Sequence, residues 1–89
     1  MALIDDVKMS LRILHNALDA DVGANIAACK KDLSIGGVEV IDDSDALTIQ
    51  AVKLYCRWQF DFNAKGEQHQ KAYSMLRESM ALSGDYSGN

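Results

Sequence analysis

Apolar residues recur along this chain at intervals of three and four, the spacing of one face of an α-helix. They are densest over 45–62, DALTIQAVKLYCRWQFDF. At about 100° per residue, Leu47, Ala51, Leu54, Tyr55, Trp58 and Phe62 fall on one side of that helix, and Ile49, Val52, Cys56 and Phe60 on the other. Gln50, Lys53, Arg57 and Asp61 form one polar stripe between them, Thr48 and Gln59 a second. A surface helix of a small monomer needs only one apolar stripe. The second is either wrapped by the same chain or shared with another, because each large apolar side chain left in water forfeits about 1.5–3 kcal/mol. With few helices available for wrapping, sharing is the expectation. The expected subunit interface is Ile49, Val52, Cys56 and Phe60, joined by Met75 and Leu82, which lie off the stripe of the last helix. An aspartate at Val52 or Ile49 should then loosen association more than it loosens the monomer. The alternative is that the first or second helix covers this face within one subunit.

The same spacing predicts three further helices. Leu3, Ile4, Val7, Leu11 and Leu14 mark the first over 3–14, with Asp5 and Asp6 in the turn where the helix dipole favours acids. His15 and Asn16 break the pattern. Val22, Ile26, Cys29 and Leu33 mark the second over 19–35, with Asp19 and Asp21 at its start, and Gly36 and Gly37 able to take the positive φ that stops it. His69, Ala72, Tyr73, Leu76 and Met80 mark the last over 67–82, after a turn at 63–66 and before Ser83 and Gly84. Between the second helix and the central one, VEVIDD alternates apolar and acidic residues, yet the chain offers no second strand to pair with it. It reads as an extended loop, and Ser44 or Asp45 as the cap of the central helix. The expected fold is all-α, a small bundle of four helices around a central apolar helix, with an extended acidic loop before it. It forms one domain over 1–84 with a flexible tail at 85–89. Trp58 is the expected anchor of its core.

Composition narrows the class. A chain of 89 residues, 48% hydrophobic and 25% charged, is an ordinary globular domain near the size where oligomerisation often completes the core. No apolar run approaches the ~18 residues that span a bilayer, and the start, MALIDDVK, is acidic where a signal peptide would be basic. A cytoplasmic location and no membrane partner are expected. The net charge of −4 is local. Glu39, Asp42, Asp43 and Asp45 crowd one loop with no basic residue between them, and the rest of the chain is balanced. No basic face offers itself to a nucleic-acid groove, so sequence-specific DNA binding is disfavoured.

A search for chemistry turns up little. His15 and His69 stand apart without metal-ligand spacing, and Asp42-Asp43-Ser44-Asp45 lacks the glycine and terminal glutamate of a calcium loop. Gly36-Gly37 follows a helix instead of joining a strand to one, so it is a helix stop and not a phosphate cradle. Cys29 and Cys56 have no CxxC spacing and read as buried thiols. No catalytic residue, metal or cofactor is expected, and the chain reads as a non-enzyme.

The order of pieces does carry a resemblance. The opening VKMSLRI, the acid-started second helix, ALTIQAVKLYCRWQFDF and the closing QKAYSMLRESMALSGDY resemble the phage head-tail connector, or adaptor, family across nearly the whole chain. Members of that family are small all-helical proteins that form a ring under the portal, extend the DNA channel and present a docking surface to the next tail component. The resemblance implies a homo-oligomeric ring, a portal protein and a downstream head-completion or tail protein as partners, and DNA that only passes through. It implies host cytoplasm during assembly and the virion neck afterwards. It carries no catalytic residues, and the chain departs from many members in having no proline and in having Asp61-Phe62-Asn63 where an arginine-containing helix end is common. Glu39, Asp42 and Asp43 become candidates to face the channel or a partner, since a bore that repelled phosphate would not brake moving DNA. A small helical interaction module or regulator acting as a dimer is the alternative.

Overall fold

The computed structural model describes residues 3–13 and 16–87, Phe62 and Ser87 by backbone alone. Leu14, His15, the last two residues of the tail and the side chain of Phe62 therefore lie outside the described residues. The elements in order are α1 (Leu3–Ser10), α2 (Asp19–Ile35), α3 (Ala46–Gln59), a single 3-10 turn at Phe62–Ala64, α4 (Gly66–Leu82) and α5 (Gly84–Ser87). The fold is all-α, with no strand among the described residues. α3 is its axis and packs against α1, α2 and α4.

Each helix is set by local chemistry. Leu3, Val7 and Leu11 bury one side of α1, but the helix ends at Ser10, earlier than the sequence predicts. Arg12 there takes a left-handed φ of 59°, which no continuing helix allows. Lys8 then bridges the connection, donating to Asn16 Oδ1 at 3.0 Å and pairing with Asp19 at 2.7 Å. α2 buries Val22, Ile26, Cys29 and Leu33, the expected stripe, but no side chain caps its start. Its end is a Schellman closure. Gly37 sits at φ 101°, its N–H bonds the Ser34 carbonyl, and the Val38 N–H bonds that of Leu33, bringing two fully buried side chains together.

α3 starts where expected. The Asp45 side chain accepts from the Thr48 N–H at 3.0 Å and the Thr48 hydroxyl at 3.2 Å. It ends at Gln59 in a tight corner in which Asp61, Asn63 and Ala64 all have positive φ. A left-handed alanine costs about 1–2 kcal/mol. The corner is held by the Gly66 N–H donating to Asp61 Oδ1 at 2.8 Å, and a Cβ at Gly66 would lie 2.6 Å from that oxygen. Here glycine is a requirement of the close approach.

Both apolar faces of α3 pack against its own chain, except at Leu47 in the first turn, which is 43% exposed. Ala51 and Leu54 are buried on one side, while Tyr55 and Trp58 are half-buried against the core. Tyr55 stacks edge-on against both Trp58 and Tyr73, at centroid distances of 5.4 and 5.3 Å. On the other side Val52 and Cys56 have 0% exposure, and Ile49 and Phe60 pack half-buried against the same core. The expected interface through Val52 and Cys56 is corrected accordingly. α1, α2 and α4 pack around the helix and cover this face, and a residue with no exposed surface in the single chain has none to offer a neighbour.

Candidate functional site

The acidic loop and the chain's C-terminal turn meet at the start of α3. Val38 is buried, which pins the loop to the core, whereas Glu39 and Val40 are exposed. Their two N–H groups donate to one acceptor, the Tyr86 carbonyl, at 2.7 and 2.9 Å. The Tyr86 hydroxyl in turn donates to the Asp45 carboxylate, 3.0 and 2.9 Å from its two oxygens. Asp45 thus caps α3 and receives the tail at once. The Thr48 N–H first, and the Tyr86 hydroxyl second, hold its carboxyl below the ordinary aspartate range, while acceptance by Asp45 raises the phenol of Tyr86. The reading of 85–89 as a flexible tail did not anticipate this tie, which fastens the chain at Tyr86.

Two of the three candidate loop acids are less isolated than the sequence implies. Asp42 Oδ1 accepts from the Ser44 N–H at 2.9 Å and the Ser44 hydroxyl at 2.8 Å, and these bonds hold its pKa below the ordinary value. Asp43 pairs with Lys30 of α2 at 2.7 Å, a contact invisible to a count of charges within the loop. Glu39, Asp42 and Asp43 are all exposed, as is Val40. Met75 and Leu82 are far from buried, at 62% and 88% exposure, and remain available to a partner. Ile49 and Phe60 keep only partial exposure.

A second polar cluster lies at the partly exposed seam between α2 and α4, and sequence reasoning did not single it out. Asp32 of α2 accepts from the Tyr73 hydroxyl at 2.6 Å and from Arg77 at 2.7 Å, both of α4. The Arg77 guanidinium lies 5.8 Å from the centre of the Tyr73 ring. Burial raises the Tyr73 phenol, and donation to Asp32 raises it further, so this hydroxyl remains a donor at any physiological pH. The Cys29 thiol touches the Tyr73 hydroxyl at 3.9 Å and the Ala51 carbonyl at 4.0 Å. Burial pushes both Cys29 and Cys56 up to about 12, which leaves almost no thiolate at neutral pH.

The cluster ties α2 to α4, and the Asp45–Tyr86 pair ties the tail to α3. Among the described residues no group of three acids, histidines or cysteines could hold a metal ion, and no helix is long and apolar enough to cross a membrane. Comparison with protein-family models, with curated proteins and with solved structures found no match, so residues and geometry alone carry the functional reading.

Proposed function

We propose that this chain is a structural head-tail connector of a phage or prophage, assembling as a ring under the portal, extending the DNA channel and receiving the next tail component. The observation that carries the reading is the sequence resemblance over VKMSLRI, the central helix and the closing helix. The all-helical fold around α3 is consistent with it. So is the set of large apolar side chains left at the surface. Met9, Ile35, Val40, Leu47, Met75 and Leu82 are all exposed, although the middle of the central helix is covered by the chain itself. Partners contribute by covering such residues.

The acidic loop fits a channel-facing or partner-facing place. Glu39, Asp42 and Asp43 project from one segment, and phosphate passing them would meet repulsion and no salt-dependent adhesion. Because Asp43 pairs with Lys30, the loop is best probed at Glu39 and Asp42. The reading is tested in the phage or induced prophage that carries the gene. Interrupting the gene should leave DNA-filled heads and free tails that do not join. Tailed, infectious particles at normal yield would overturn it. With the gene intact, Glu39→Lys with Asp42→Lys should leave the particles joined but slow DNA ejection, and unchanged ejection would remove the channel role alone.

A further inference from the structure

The inward side of α4 is fully employed. Tyr73 and Met80 are buried, Leu76 packs against the core, and Arg77 is held by Asp32. Its outward side is Lys71, Ala72, Met75, Glu78, Ser79 and Leu82, all exposed. Lys71, Met75, Glu78 and Leu82 follow one another at four, three and four residues, a single stripe along the helix. A methionine at 62% exposure and a leucine at 88% on that stripe are covered by nothing in the chain.

The charges flanking Met75 say what would cover it. Lys71 stands one turn before Met75 and Glu78 one turn after it, and neither makes an ion pair with a described residue. A copy of the same helix laid alongside in the reverse direction presents the same stripe with its charges exchanged. About an axis midway between Ser74 and Met75, lysine meets glutamate at both ends, and the two Met75 side chains, offset by about one 1.5 Å residue rise, meet near the middle. A parallel copy in register would set lysine on lysine and glutamate on glutamate. Ala72 and Ser79 beside the stripe are small enough for helix axes to approach to the ordinary ~8–10 Å.

We propose that the outward stripe of α4 is a docking surface for a second copy of this chain, the two helices antiparallel about a two-fold axis near Met75, each Lys71 facing Glu78 of the partner subunit. The contact is isologous, so one surface serves both partners. It does not rest on the connector reading, and it would serve a free subunit before incorporation into a larger assembly. One helix face falls short of the ~800 Å² per partner of a standard stable interface, so the dimer is reversible and concentration-dependent. Exposed charge pairs are screened, so added salt weakens it.

Sedimentation equilibrium on the full chain tests this. Wild type should pass from monomer to dimer as concentration rises. Lys71→Glu alone sets glutamate against glutamate twice, and Glu78→Lys alone sets lysine against lysine twice. Each should weaken the dimer roughly tenfold or more. Mixing the two single variants in equal amounts should restore it, because every contact in the mixed pair is again between opposite charges. Met75→Asp should leave a monomer whose helical circular dichroism and melting match wild type. A wild type that stays monomeric at every concentration would overturn the proposal. So would single variants that dimerise as well as wild type, or a mixture that associates no better than its folded components.

Discussion

Two tyrosines of the C-terminal third reach back to aspartates, Tyr73 to Asp32 and Tyr86 to Asp45, with hydroxyl-to-carboxylate distances of 2.6 Å and about 3 Å. The surroundings differ far more than the bonds. Tyr73 is 1% exposed, its ring lies among Tyr55 and Trp58, and its aspartate is neutralised by Arg77. Tyr86 is half-buried on a helix of four residues, and its aspartate has already spent bonds on capping α3. The same donor and acceptor therefore make a core fastening in one place and a surface latch in the other. What separates them is the apolar area and the number of groups that the bond keeps out of water.

The largest effect should come from removing the buried ring. Tyr73→Ala leaves a cavity between α3 and α4 and strips Asp32 of a donor, and is expected to cost about 3–5 kcal/mol in a denaturant titration. Tyr73→Phe keeps the ring and loses one hydrogen bond, for about 1 kcal/mol. If the two variants cost the same, the hydroxyl and not the ring holds this region, and the contrast drawn from burial fails. Asp32→Ala should fall between them, since it leaves the Tyr73 hydroxyl and Arg77 without their shared acceptor, although Arg77 can turn to solvent.

The surface latch should be weaker and dependent on acid. Tyr86→Phe is expected to lower the melting temperature less than Tyr73→Phe does, while accelerating amide exchange at Glu39 and Val40, whose acceptor is the Tyr86 carbonyl. Because the carboxyl of Asp45 is held below its unfolded value in the native protein, its stabilisation is complete above that value, about pH 4. It fades as pH falls through the lower, folded value. The gap in melting temperature between wild type and Tyr86→Phe should thus be constant from neutral pH to about 4 and close below it. A gap that closes instead between pH 5 and 7 would assign the latch to some other group.

Sequence pattern located most of this architecture and few of its polar ties. The bounds of α2 were legible because a stripe at four, three and four ran into two glycines, and both glycines serve the Schellman closure. The start of α3 was legible because Asp45 is a helix-capping residue directly before an apolar run. The early end of α1 was not, since the left-handed turn at Arg12 carries no glycine or asparagine to announce it. That α3 has two apolar faces could be read from spacing. Which chain closes them could not, because coverage depends on where α1, α2 and α4 settle around it. Lys30–Asp43 and Tyr86–Asp45 leave no periodic signal at all, being single residues brought together by the route of the loop and tail. Among the candidate interface residues, Met75 and Leu82 stayed at the surface because they stand opposite Tyr73 and Met80 on α4. Val52 and Cys56 did not, because their face of α3 meets the rest of the bundle.

Closure of α3 by its own chain is tested most directly by Val52→Asp, followed in parallel by thermal melting and sedimentation beside Met75→Asp. An aspartate at a site with 0% exposure must either protonate or carry an unpaired charge into the core, and either route is costly in a domain of 89 residues. Val52→Asp should lose its cooperative melting transition while Met75→Asp melts as wild type. A Val52→Asp protein that melts cooperatively near the wild-type temperature, and differs only in failing to associate, would contradict the closure and return the second face of α3 to a subunit interface.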